Sequence, residues 1–440
     1  VSSRRRDRGA RPARGDRPSR GARRRLGGLT VRGRAFVAAG GTAVVCAVVL
    51  GQATLASAGV LAVALPLVSL VATRASRFEV HLRRGLSPTH VEVGGTSTVH
   101  LGLAVTGRVP RGTLLLEDQL PYVLGARPRM VVRGVRGAWT GDVSYPVRAE
   151  VRGRYETGPL VVRVRDLFGT VELVREFHHT GTLTVRPQTH PLPRGSLGEG
   201  SGTSGDEQLR AAAVGSAEDA SVRDYRIGDD LRRVHWRTTA RTGELMVRRE
   251  EQRRETHAVV LVDNRTTSHE GVGHGSSFEA AVVLAASLCD HLARLGNVVH
   301  LHDAAGLIVT APAGAAGSRR ALDALAVIAL VDRTDLAPLV PRGGSGRRDV
   351  HLALLGRLVP ADDAVLAAAR GRAVAAHAAV LDVARWHPDH LRSGPTAAPP
   401  REVAHLAARG WHAVPVGPED TVTGVWSALS AARRPVGTLR

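Results

Sequence analysis

From Ala35 to Thr73 the chain carries no charged residue. A single helix of that length would rise about 58 Å, whereas a bilayer's hydrocarbon core is ~30 Å thick, so the pattern predicts two spans. Polar character returns at Gly51-Gln52-Ala53-Thr54, which places a tight turn between spans at Ala35–Leu50 and Leu55–Thr73. The stretch is also too long for the apolar core of a cleaved signal peptide. Residues 35–73 are therefore expected to form a transmembrane helical hairpin.

Residues 78–190 switch to short alternating runs, among them Ser97-Thr98-Val99-His100-Leu101-Gly102-Leu103 and Leu160-Val161-Val162-Arg163-Val164. Gly and Pro turn signals separate them, which predicts an antiparallel β-sandwich. Residues 191–215 have no apolar periodicity and read as a linker or flexible loop. A charged segment, 216–256, follows. Over 257–432 strands alternate with helices, which predicts an α/β domain with a mostly parallel sheet. Val259–Val262 is a buried-strand run ending at Asp263. Ser276 and Ser277 open a helix whose apolar face holds Phe278, Val282, Ala285, Cys289 and Leu292 until Gly296 stops it. Further strands are expected at Asn297–His302, Ile308–Thr310, Val350–Leu355, Ala373–Leu381 and His412–Val416. Helices are expected at Arg319–Leu330, Asp362–Ala369, Arg401–Arg409 and Val422–Ala432.

Composition qualifies this picture in three ways. The net charge of +20 would by itself suggest an anionic partner. Yet the chain has no lysine, and Ala, Gly, Val, Leu and Arg dominate, as GC-rich coding imposes regardless of function. Aromatic residues make up 3%, too few for the stacking platforms of single-strand binders, so nucleic acid is not an expected partner. Cys46 and Cys289 lie too far apart in character and sequence to suggest a disulfide framework or a metal site. Residues 1–34, with Arg4-Arg5-Arg6 and Arg23-Arg24-Arg25, read as a disordered basic tail that touches lipid headgroups. Arg32 and Arg34 precede the hairpin and Arg74, Arg77, Arg83 and Arg84 follow it, while the turn carries no basic residue. Both termini are therefore expected in the cytoplasm of a cell-membrane, multi-pass protein.

The densest chemistry lies in Val222–Arg248, where Asp224, Asp229 and Asp230 alternate with Arg223, Arg232, Arg237 and Arg241 around Tyr225 and Trp236. Forked guanidiniums among carboxylates predict a clamp of neutralising pairs, with Trp236 packed, Gly228 at a turn and Asp229 at a helix start. The run Arg223-x-Tyr225-x-x-Gly228-Asp229-Asp230-x-Arg232-x-x-x-Trp236, followed by Ala240-Arg241-Thr242-Gly243-x-Leu245-x-Val247, resembles the signature of the domain-of-unknown-function family 58. Arg152-Gly153-Arg154-Tyr155, Gly158-Pro159-Leu160 and Arg165-Asp166-Leu167-Phe168-Gly169 resemble the pattern that precedes it there. The resemblance implies a membrane protein with a von Willebrand factor A-like domain and a MoxR-type AAA+ ATPase as partner; it implies no biochemical activity.

Such domains often hold a divalent cation through Asp-x-Ser-x-Ser after the first strand, with a Thr and an Asp from later loops. Here that stretch reads Asp263-Asn264-Arg265-Thr266-Thr267, with Thr334 and Asp335 for the later loop. Arg265 puts a cation where the metal would sit, and Leu354-Leu355-Gly356-Arg357 brings no carboxylate to the next strand's end. A degenerate magnesium site at Asp263, Thr267, Thr334 and Asp335 is the one alternative to having no cofactor. His300, His302, His387 and His390 lack the converging spacing of a zinc site. Nucleophile elbows, phosphate loops and metalloprotease helices are absent from the sequence. The reading that results is a membrane-anchored, non-enzymatic scaffold or adaptor presenting cytoplasmic domains to the ATPase. A divalent-cation-dependent adhesion module and an uncharacterised enzyme stand as alternatives.

Overall fold

Gly51 divides the uncharged N-terminal stretch into two helices, as expected from its tolerance of left-handed backbone. In the computed structural model, which describes residues 22–75, 78–107, 112–133, 139–195, 197, 222–225, 234–248, 256–339, 349–387 and 399–431, Gly51 has φ 65° and caps helix α1 (Val31–Leu50). Helix α2 (Ala53–Ala75) runs back beside it. Both are long and apolar enough to cross a membrane. They meet at glycines: a Cβ on Gly40 would come within 2.7 Å of the Gly59 carbonyl, and one on Gly59 within 2.8 Å of the Gly40 carbonyl. Small residues at a helix contact let apolar helices approach without a hydrophobic drive from water.

The described residues form two units, Val1–Val185 and Arg186–Arg440. The first contains the hairpin and eleven described strands. They are β1 (Ala22–Leu29), β2 (Phe78–Ser87), β3 (His90–Glu92), β4 (Thr96–Gly107), β5 (Gly112–Asp118) and β6 (Arg129–Arg133). Then come β7 (Trp139–Arg148), β8 (Gly153–Thr157), β9 (Leu160–Asp166), β10 (Val171–Phe177) and β11 (Gly181–Arg186). They pair in the orders β1-β10-β9-β5-β6, β2-β4-β7 and β3-β11-β8. Side chains from all three sheets, including Leu101 and Leu103 of β4, Leu116 of β5, Val162 of β9 and Leu183 of β11, share one core. The antiparallel sandwich is thus as its alternating pattern predicts.

Two expectations for this unit need correction. The basic tail was expected to stay without structure to residue 34, but Ala22–Leu29 is strand β1, paired antiparallel with β10 from Ala22↔Phe177 to Leu29↔Val171. Backbone hydrogen bonding to an existing sheet edge needs no apolar alternation, so Arg and Gly composition concealed it. Residues 1–21 lie outside the described residues. Arg83 and Arg84, read as basic residues flanking a span, belong to β2. Arg84 is fully buried, with Nη1 and Nη2 donating to the two Asp118 oxygens at 2.7 and 2.6 Å and Nε donating to the His179 carbonyl at 3.0 Å. The Tyr145 hydroxyl also donates to Asp118, and burial, then that carboxylate, drives its pKa well above the ordinary tyrosine value. Arg32, Arg34 and Arg74 remain as the described basic residues at the hairpin's outer ends.

The second unit opens on a segment that the sequence assigned to the end of the sandwich and a linker. Residues 186–195 instead lie on the α/β core. Arg186 Nε donates to Asp323 at 2.7 Å, His190 N to Ser287 Oγ at 3.0 Å, and Trp426 Nε1 to the Pro193 carbonyl at 2.8 Å. Leu192 and Leu197 pack into the same core. Single anchors spaced along an otherwise aperiodic stretch leave no pattern for a sequence reading to find. The remainder of the expected linker, 198–215, lies outside the described residues.

A two-stranded ribbon of β12 (Val222–Asp224) and β13 (Met246–Arg248) encloses the short helix α3 (Trp236–Thr242). The main sheet contains β14 (Thr256–Val262), β15 (Asn297–Asp303), β16 (Gly306–Ala311), β17 (Asp349–Leu355), β18 (Ala373–Leu381) and β19 (His412–Val416). Its order is β16-β15-β14-β17-β18-β19, parallel except for the β15–β16 hairpin. Helices α4 (Ser277–Arg294), α5 (Ala315–Val327), α6 (Asp362–Arg372), α7 (Arg401–Ala408) and α8 (Val422–Ser430) cover it. One face packs Val260 and Val262 against Phe278 and Val282 of α4 and Trp426 of α8. The opposite face packs Leu261, Leu355 and Val380 against Leu366 of α6 and Leu406 of α7. Ser276 caps α4 as read, its Oγ accepting from Glu279 N at 3.2 Å.

Asp118→Ala strands Arg84 as a buried charge and removes the partner of Tyr145. Breaking a buried pair from one side costs about 3–5 kcal/mol. Denaturant titration of the chain in detergent should show that loss at constant slope, and the double substitution Arg84→Met, Asp118→Leu should recover most of it.

Candidate functional site

Strand order reverses at β14: the chain passes first to β15 on one side and returns to β17 on the other. In parallel sheets the carboxyl ends of strands at such a reversal are where ligands bind. The chain leaves β14 as Asp263-Asn264-Arg265, all buried. Arg265, 0% exposed, points back under the strand end and fills the position with its own guanidinium. Nε and Nη2 donate to the two oxygens of Asp263 at 2.9 and 2.8 Å. Nη1 and Nη2 donate to the two oxygens of Asp362, at the start of α6, each at 2.9 Å. Nη1 also donates to the Thr334 carbonyl at 3.2 Å. All five N–H donors of a guanidinium are thereby engaged.

The local backbone explains why these groups converge. Val331 N donates to the Asn264 carbonyl at 2.8 Å and Thr266 N to the Val331 carbonyl at 3.0 Å, which lays 331–334 beside 264–266. The Asn264 side chain accepts from Ala304 N at 3.0 Å and donates to the Ala329 carbonyl at 2.8 Å, tying in the loops after β15 and α5. Asp362 accepts from Val359 N at 2.9 Å and sits in the first turn of α6, where a carboxylate is favoured by the helix dipole. His269 Nε2 donates to the Asp263 carbonyl at 2.6 Å, and Ser277 Oγ lies 3.0 Å from Nδ1. Burial lowers the His269 pKa, against the Asp263 carbonyl and carboxylate, which raise it. Burial opposes the charge of Arg265, but the Asp263 and Asp362 carboxylates outweigh it and hold the guanidinium protonated.

The expected divalent-cation site is therefore not assembled. Asp263 faces Arg265, Thr334 contributes its backbone carbonyl to that same side chain, Thr267 is exposed, and Asp335 pairs at the surface with Arg333. Among the described residues no group of three or more His, Cys, Asp or Glu side chains could hold a metal ion. The residue that sequence reading missed is Asp362. The end of β17 lacks a carboxylate, as read, and the one supplied comes from the helix start beyond Pro360, where Asp362-Asp363 looks like ordinary capping.

The sheet also buries His302 and His351, whose ring nitrogens find no hydrogen-bond partner. Burial first, and a neighbouring histidine second, depress both to about 4, with Arg372 and Arg370 adding to the effect on His351. His300 beside them has partners: its Nε2 lies 3.0 Å from His257 Nδ1 and its Nδ1 3.1 Å from Thr310. The His302 and His351 rings are core side chains of the sheet, and His390 lies outside the described residues.

Of the signature residues, Gly228, Asp229, Asp230 and Arg232 lie outside the described residues, and with them the predicted pair between Asp229 and Arg241. Arg223 lies in β12 and Val247, buried, in β13. Tyr225 N donates to the Leu245 carbonyl at 2.8 Å and His235 N to the Met246 carbonyl at 2.8 Å, closing the ribbon around α3. The expectation that Trp236 is packed fails. It is 68% exposed at the first position of α3, with Ala240 and Arg241 exposed on the same short helix and Leu245 exposed just beyond. A helix of two turns held by backbone bonds at both ends keeps its shape without burying its aromatic side chain.

Arg265→Ala leaves two buried carboxylates facing each other and should cost about 3–5 kcal/mol in denaturant titration. Arg265→Lys should recover little, because one ammonium cannot serve two carboxylates bidentately. The two histidines set an acid limit. Their folded values lie below the ordinary 6.5, so protonation favours the unfolded chain. Stability is complete above pH 6.5, falls as pH drops towards about 4, and levels below that. Each ring accounts for up to about 3 kcal/mol. His302→Phe should flatten the pH 4–6.5 part of a melting-temperature profile.

The family model described as "Protein of unknown function DUF58" matches residues 221–353. Uncharacterized protein YeaD of Bacillus subtilis (strain 168) is 27% identical over 209 residues, which cover 44% of this chain and 50% of that protein. The match thus spans about half the length of this curated relative. Among solved structures, the CARDB domain of a Pyrococcus furiosus protein in complex with di-metal ions is 14% identical over 25% of this chain and 93% of its own, with a TM-score of 0.17. Pseudomonas fluorescens alkylpurine DNA glycosylase AlkC, bound to DNA, is 12% identical over 30% of this chain and 38% of its own, also at 0.17. Such scores carry no argument about fold or activity. The matched segment, from β12 to β17, holds Trp236, Asp263 and Arg265 and is similar to the DUF58 family of proteins of unknown function.

Proposed function

We propose that the chain is a membrane-anchored, non-enzymatic adaptor whose α/β unit, read as von Willebrand factor A-like, docks onto a cytoplasmic MoxR-type AAA+ ATPase. The partner and the domain type come from the sequence resemblance. The strand order, with an acidic residue directly after β14, supports the domain reading. Arg32, Arg34 and Arg74 at the hairpin's outer ends support a cytoplasmic location for both termini. The observation that carries the adaptor reading is the exposure of Trp236 next to Arg241 and Leu245. Exposed Trp and Arg on a rigid element are the residue types that dominate binding energy at protein interfaces.

The position where a parallel sheet would hold a ligand supports the same reading. Both carboxylates there are fully engaged by Arg265, which leaves neither a free base nor an open coordination position among them.

Trp236→Ala and Arg241→Ala should leave the melting temperature of the chain in detergent within about half a degree, as surface substitutions do. Each should weaken capture of the ATPase from native membranes at least tenfold, the loss of about 2 kcal/mol typical of a hot spot. A drop in melting temperature of several degrees with capture unchanged would return the segment to a structural role.

A further inference from the structure

The turn between β9 and β10 presents Leu167 and Phe168 to solvent, 70% and 57% exposed. Floppiness does not explain their exposure, because the turn is tightly built. Asp166 accepts from Val171 N at 2.8 Å and from Thr170 Oγ1 at 2.9 Å, and Gly169, at φ 68°, donates to the Asp166 carbonyl at 3.1 Å. Two adjacent large apolar side chains are held outward by a rigid frame.

The same turn holds the first helix of the hairpin. Thr30, which caps α1, donates its hydroxyl to the Gly169 carbonyl at 2.6 Å and its N–H to the Thr170 carbonyl at 2.9 Å. A Cβ on Gly33 would fall 2.2 Å from the Thr170 carbonyl, so helix and turn are in backbone contact there. Helix α1 has 20 residues and rises about 30 Å, which equals the thickness of a bilayer's hydrocarbon core. When Gly51 reaches one boundary of that core, Thr30 reaches the other. A turn bonded to Thr30 then lies at the boundary as well, beside Arg32 and Arg34.

We propose that Leu167 and Phe168 insert into the lipid interface next to α1, giving the sandwich a membrane contact separate from the hairpin. This rests on the reading that α1 and α2 span the bilayer. Apolar side chains enter the acyl boundary while the neighbouring arginines of α1 meet lipid phosphates, the arrangement used by interfacial anchors. The hairpin and the turn together fix the β9–β10 end of the sandwich against the membrane.

Nitroxide labelling of the full chain in phosphatidylcholine–phosphatidylglycerol liposomes tests this. Native Cys46, exposed on α1, reports the span, and Phe168→Cys in a Cys46→Ser background reports the turn; Cys289 is fully buried and stays unlabelled. Insertion is supported if both labels collide more with oxygen than with a water-soluble nickel chelate, and Cys46 reads deeper. If Cys46 reads deep while the label at position 168 is as open to nickel as a water-exposed site, the span stands and the insertion is overturned. If both are open to nickel, the spanning reading falls and the insertion falls with it.

Discussion

An arginine buried at the mouth of a parallel sheet must be compensated on every donor or it will not stay folded in. Taking a charge out of water costs several kcal/mol even after the protein relaxes, and the cost is recovered only where geometry is excellent and each proton has an acceptor. Arg265 meets that condition by drawing three loops to itself: the one that leaves β14, the one carrying Thr334, and the one that opens α6. One side chain thus joins loops that the backbone bonds of 264–266 with 331 and the Asn264 side chain also hold. The cation at this position is part of the chain itself and cannot dissociate.

The sandwich solves a similar problem with Arg84, Asp118 and Tyr145. In a chain whose basic residues are all arginine, the forked head matches carboxylates and backbone carbonyls in ways an ammonium does not. Two of the arginines are thus internal and paired with aspartates, and neither is available to an outside anion.

What could be read from the sequence follows from how local each determinant is. The two apolar helices, their Gly51 turn, the alternation of β4 and the strand–helix succession from β14 to α8 are written in short-range periodicity, and they appear where expected. Arg265 was recognisable as an obstruction two residues after Asp263. Its second carboxylate was not, because Asp362 is brought to it only by the tertiary fold. Strand β1 was hidden for a related reason: its order depends on the edge of β10 rather than on its own residues. Trp236 shows the opposite error. Dense opposed charges suggested burial, but a backbone-closed ribbon leaves the tryptophan free to face water.

Strand β1 lies before the hairpin in the chain, and the edge it joins lies after most of the sandwich. During synthesis the ribosome makes β1, then both apolar helices, and reaches β10 only when the other strands of that sheet except β1 already exist. The five-stranded sheet therefore cannot close until both helices and the strands β5, β6 and β9 have been made. Until β1 returns to it, the edge of β10 stays open, and an open edge invites pairing with other chains. A segment at the very start of the described chain thus protects an edge that is made long after it.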